Sequence, residues 1–300
     1  MRKAFSEAFI AQCGCPELIF LTGDLGYLAL ESIRETLGSR FINAGVAEQN
    51  MVSVSAGLAQ QSFRPWVYSI APFLYARAFE QIRNDICLHS MPVVLVGNGG
   101  GYGYGVMGAT HHALEDYGLL LTLPSLTVEI PCFNEDLATV VPTLMHCQNP
   151  AYLRLGLCEK PSQVVPPKYS PWRKLIDGSA GVLIAVGPLA GVYWKYSIDL
   201  PVAQRPNLWC LSQLPVTELP EALWADLAGG LPLVIAEEHV QQGSAGQSIA
   251  MSLLKAGSMP SRISHRTAMG YPSGLYGSQS FHRQESRLDS QSVLAEFFCQ

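Results

Sequence analysis

The sequence predicts an α/β protein of two domains, each a mainly parallel sheet flanked by helices. Its strand-like segments are short, continuous apolar runs such as VVLV and VLIAV, the pattern of strands buried on both faces. These runs alternate with longer helical stretches, as in layered α/β folds. The alternation lapses once, where Pro161, Pro166, Pro167 and Pro171 fall among Lys, Ser and Gln, and then resumes. With 300 residues, 48% of them hydrophobic and 14% charged, the chain can fill two cores.

Residues 1–157 make the first domain, with strands expected at 18–21, 40–42, 65–70, 93–96, 127–130 and 151–155. Each is rich in aliphatic, β-branched or aromatic residues and is bounded by turn formers. Helices are expected between them at 46–61, 73–89 and 134–146. Residues 158–178 read as an interdomain linker. The second domain, 179–300, is expected to carry strands at 181–186, 207–211, 231–237 and 263–267.

Charge excludes some functions. Nineteen Lys and Arg against 24 Asp and Glu give a net charge of −5 with no basic block, so neither a nucleic acid nor an anionic membrane is expected as partner. No run of about 18 apolar residues exists to span a membrane, and Ser6, Glu7 and Gln12 interrupt any secretory signal after Arg2 and Lys3. The eight cysteines are scattered, without a Cys-x-x-Cys or a Cys/His cluster, which points to a reducing cytoplasm and to no metal site in this chain.

Three segments could carry chemistry. Across residues 41–61, FINAGVAEQNMVSVSAGLAQQ, the single ionisable side chain is Glu48, near the start of a helix. Its helical neighbours Val52, Ser55 and Ala59 are small, and no Lys or Arg stands at i±3 or i±4, so a buried carboxyl without counter-charge is expected. Such a group becomes a proton-sharing acid; an acid stabilising the helix N-terminus is the alternative. The glycine-rich run 97–108 formally contains G-x-G-x-x-G at Gly103, Gly105 and Gly108, with Glu129 downstream, but it lacks the tight strand-turn-helix of a dinucleotide site. His111 and His112 follow it, and of two adjacent residues only one is expected to face a site. The charges of RAFEQIRND, residues 77–85, suit a solvated face, whereas Phe73 ahead of them could form a stacking wall.

In order, AGVAEQNMVSVSAGLA, YSIAPFLYARAFEQIRNDI, GATHHALED, PAYLRLG and EEHVQQGSAGQSIA resemble the C-terminal half of transketolase, over nearly the whole chain. The resemblance implies a pyrimidine-binding domain followed by a C-terminal domain in a thiamine diphosphate enzyme. It implies that Glu48 hydrogen-bonds N1′ of the aminopyrimidine, favouring the imino form whose N4′ takes the proton from thiazolium C2. It further implies that Phe73 stacks on the pyrimidine, that Asp24 lines the same cleft, and that His111 handles substrate oxygens. Arg2 and Arg154 resemble the arginines that grip a sugar phosphate, a task suited to the guanidinium fork.

The sequence also departs from that family. Met107 replaces an aspartate, Gly99 a histidine and Leu28 a serine, so the sugar-recognition shell is altered. Gly-Asp-Gly, which with a later Asn holds magnesium and the diphosphate, is absent from the sequence. The resemblance therefore implies the second subunit of a split transketolase in an α2β2 complex, its N-terminal partner supplying the diphosphate and Mg2+ site. The expected reaction moves a two-carbon ketol unit from a sugar or sugar phosphate to an aldehyde. A 2-oxoacid dehydrogenase β-like subunit, a deoxyxylulose phosphate synthase-like subunit and a non-catalytic scaffolding subunit are the alternatives.

Overall fold

The computed structural model describes residues 1–26 and 29–298 and contains two mainly parallel sheets flanked by helices. The first sheet has seven strands in the order β10-β5-β6-β4-β3-β1-β2. Its members are β1 (Leu18–Thr22), β2 (Phe41–Asn43), β3 (Arg64–Ile70), β4 (Val94–Asn98), β5 (Thr127–Glu129), β6 (Ala151–Leu155) and β10 (Gln213–Leu214). All pairings are parallel except β10 on β5.

Alternate side chains of these strands feed opposite cores, as the two-residue period of a strand requires. Ile19, Leu21, Val67 and Leu95 point to one side, against α3 (Glu48–Gln60) and α4 (Ala71–Tyr75). Phe20, Trp66, Tyr68 and Val96 point to the other, against α1 (Arg2–Ile10), α2 (Glu31–Leu37) and the helix Leu137–Leu144. On α1, Phe5 and Phe9 sit one turn apart and are fully buried; Phe9 meets Phe20 and Trp66 edge-on at 5.0 and 5.2 Å.

The second sheet runs β12-β11-β8-β9-β7, built from β7 (Trp172–Ile176), β8 (Val182–Val186), β9 (Asn207–Leu211), β11 (Leu233–Ala236) and β12 (Ile263–Arg266). Strand β7 is antiparallel to β9 and lies inside the stretch expected to be linker. Its Arg173 explains how a charged segment joins a sheet: the guanidinium forks onto buried Asp136 at 2.6 and 2.8 Å. Strand β10 was not expected either. It carries the second half of the chain onto the first sheet, with Gln213 Nε2 donating to Glu129 Oε1 at 2.7 Å.

The helix expected at 73–89 is broken. After α4 the chain makes a turn at 76–78, then a short helical piece Phe79–Gln81 and a π-helical run Ile82–Cys87. The wider turn shifts the helical phase so that Ile82, Ile86 and Cys87 all face the core. Among the described residues no helix is long and apolar enough to cross a membrane.

Candidate active site

Because β1, β2, β3 and β4 are parallel, the loops leaving them gather at one edge of the sheet, the usual place for a site in an open α/β fold. Asp24 follows β1, Glu48 follows β2, Phe73 follows β3, and the glycine-rich loop leading to His111 follows β4.

Glu48 is the first residue of α3 and is 2% exposed. Val52, Ser55 and Ala59 behind it are buried, as the spacing predicts. The expectation that it lacks a counter-charge is wrong: Arg77 Nη1 lies 2.5 Å from Glu48 Oε2. Ser69 Oγ donates to the other oxygen at 3.4 Å. Arg77 belongs to the segment read as a solvated face, but it sits in the turn after α4 and reaches back across the site. Its guanidinium also lies over the ring of Phe73, 4.7 Å from the centroid.

Phe73 meets His111 edge-on at 5.2 Å, and His111 also approaches Tyr104 at 5.8 Å. Thr110 Oγ1 lies 2.9 Å from His111 Nδ1. Asp24 lines a cleft with Thr22, Leu25, Phe41 and Asn43, and Asn43 Nδ2 reaches its Oδ1 at 3.5 Å. Gly23, next to Asp24 in the chain, lies beside Glu48: a β-carbon there would come within 3.9 Å of Glu48 Oε1. Glu48 and Phe73 thus flank one planar, N–H-donating cation, and an aminopyrimidine has the same shape and hydrogen-bonding edge. The residues present fit that group.

The family model described as transketolase, pyrimidine binding domain, matches residues 1–156. The chain belongs to the transketolase family. It is 28% identical to one subunit of the apulose-4-phosphate transketolase of Phocaeicola vulgatus over 271 residues, covering 87% of this chain and 86% of that one. It is also 28% identical to the 1-deoxy-D-xylulose-5-phosphate synthase of Myxococcus xanthus, over 97% of this chain but 51% of the relative. In fold it is similar to a split gene transketolase solved as an inactive beta4 tetramer, with a TM-score of 0.81, 24% identity and coverage of 99% and 96%.

Within this transketolase-family chain, Arg154, expected to grip a sugar phosphate, spends most of its hydrogen bonds on the fold itself. It is 4% exposed; Nε donates to Asp116 Oδ2 at 2.7 Å, and Nη2 donates to the carbonyls of Ala113 and Glu238 at 2.8 and 3.0 Å. Two of the three guanidinium nitrogens, Nε and Nη2, are thus committed to the fold. Arg2 is exposed and borders a cleft with Asn98, Gly99, Tyr104 and Leu157, so it stands at the same sheet edge as His111. Met107 is exposed, Gly99 lies against the Tyr104 ring, and Leu28 lies outside the described residues.

Of the histidine pair, His112 turns inward. Its Nε2 donates to Gly105 O at 2.8 Å, which puts a proton on that nitrogen, and its Nδ1 lies 2.9 Å from Tyr271 Oη. Burial holds its pKa below the ordinary imidazole value. The glycines of the loop serve close packing rather than phosphate binding: a β-carbon at Gly100 would strike Arg154, and one at Gly101 would strike Glu238. Glu129 accepts from Tyr169 and Gln213 and faces no ribose site. Glu237, Glu238 and His239 are buried between the sheets, in line with a structural role. Sequence reasoning missed Arg77 and Ser69; their link to Glu48 crosses three elements, and no spacing rule covers it.

Proposed function

We propose that this chain is the second subunit of a split, thiamine diphosphate-dependent transketolase, moving a two-carbon ketol unit from a ketose, phosphorylated or not, to an aldehyde acceptor. The observation that carries the proposal is the buried Glu48 carboxylate at the sheet edge, beside an aromatic ring that shares its cationic partner. Similarity to a chain named as one subunit of a transketolase, over most of both lengths, supports it.

The cofactor, when bound, supplies the carbon nucleophile. Glu48 would hold the proton at N1′ of its pyrimidine, Phe73 would stack on that ring, and Asp24 would line its cleft. His111 would hydrogen-bond the substrate oxygens, and Arg2 would attract a phosphate. A partner chain bearing Gly-Asp-Gly would hold the diphosphate and Mg2+, in an α2β2 assembly in the cytoplasm. Residues 1–157 would form the pyrimidine-binding domain, 158–178 the connection and 179–300 the C-terminal domain.

The test is reconstitution with that partner, thiamine diphosphate and Mg2+, followed by a screen of ketose and ketose-phosphate donors. Glu48→Gln should lower turnover by about 10²–10⁴-fold, the usual contribution of a positioned proton-transfer group. Full turnover by the variant, or turnover of pyruvate in place of ketoses, would remove this reading.

A further inference from the structure

We propose that Arg77 is a placeholder for the cofactor's aminopyrimidine: in the chain by itself it occupies the ring's position and must swing out before the ring can bind. The inference rests on the function proposed above and concerns regulation of the same site.

A pyrimidine held there would need two things, a carboxylate at its N–H edge and an aromatic face beneath it. Arg77 makes both contacts at once, with Nη1 2.5 Å from Glu48 Oε2 and its guanidinium carbon 4.7 Å from the centre of the Phe73 ring. A guanidinium is planar, presents N–H donors in its plane and offers its face to a ring, as an aminopyrimidine protonated at N1′ does. The two cannot use Glu48 Oε2 and the same face of Phe73 together.

Arg77 is also placed to leave. Its side chain is 42% exposed whereas that of Glu48 is 2% exposed, so the guanidinium has a path to water and the carboxylate has none. It lies in the turn at 76–78 between two helical pieces rather than inside a helix. A buried carboxylate without a partner is strongly unfavourable, and Arg77 supplies the partner until the ring takes over. The free subunit therefore keeps a folded, closed pyrimidine site.

The test uses the full chain alone with 4-amino-5-hydroxymethyl-2-methylpyrimidine, which carries no diphosphate, in a ligand-detected NMR titration. Arg77→Met should bind this probe at least about tenfold more tightly than wild type, because a site open a tenth of the time weakens apparent affinity tenfold. Adding Glu48→Gln to Arg77→Met should cancel the gain. Wild-type chain provides a reading free of any folding defect: the probe should speed the reaction of Arg77 with phenylglyoxal, followed by peptide mass spectrometry. Equal or weaker binding by Arg77→Met, or protection of Arg77 by the probe, overturns the placeholder. If the partner complex still binds thiamine diphosphate and loses it in Glu48→Gln, only the placeholder has failed. If that complex binds no cofactor, the proposed function has failed with it.

Discussion

At the scale of single residues, what a charge touches decides whether it can act on a substrate. Arg154 and Arg2 both resemble phosphate-gripping arginines, yet one is closed into the core by Asp116 and the other stands at the mouth of a cleft. Breaking a buried pair leaves an uncompensated charge, so Asp116→Asn should cost roughly 3–5 kcal/mol of stability by urea unfolding. The exposed pair Lys3–Glu7, at 3.8 Å, is the control, and Lys3→Ala should change stability by less than about 1 kcal/mol. A loss in Asp116→Asn no larger than the control would mean that Arg154 finds another partner. Glu48 was legible because it is the only ionisable group in twenty-one residues of small and apolar ones. Arg77 was not, because a guanidinium that folds back onto another helix looks, in one dimension, like any surface arginine.

At the scale of elements, the strands were readable wherever burial on both faces left a continuous apolar run. Strands β7 and β10 were not, since β7 carries Arg and Lys and β10 has two residues. Each depends on a tertiary partner, Asp136 for one and Glu129 for the other. The glycine-rich loop was recognisable as a close-approach element, but what it approaches is protein. At Gly101, φ is +64° and a β-carbon would fall 2.3 Å from Glu238 Oε2. Gly101→Ala should therefore destabilise the chain by about 1–3 kcal/mol through overpacking and a strained backbone. An unchanged urea midpoint would show that Glu238 can move aside, which its bonds to Gln279 and Arg283 oppose.

For the whole molecule, the two-domain division read from prolines is only part of the physical picture. One apolar cluster runs without interruption from Ile19 and Val67 of the first sheet to Ile184, Trp209 and Ile235 of the second. Ionic contacts follow the same seam, from Asp116 through Arg154 to the backbone of Glu238, and from the Glu238 carboxylate to Arg283. Shared burial of this kind couples the two halves, so calorimetry should record one unfolding transition whose calorimetric and van't Hoff enthalpies agree. Two resolved transitions would mean that the seam contributes little.

The inward turn of His112 has a consequence for aim. Tyr271 of the C-terminal region pins that imidazole from behind, and the peptide link to the preceding residue passes the restraint on to His111, which meets Phe73 edge-on. The second half of the polypeptide thus sets the bearing of a side chain that belongs to the first.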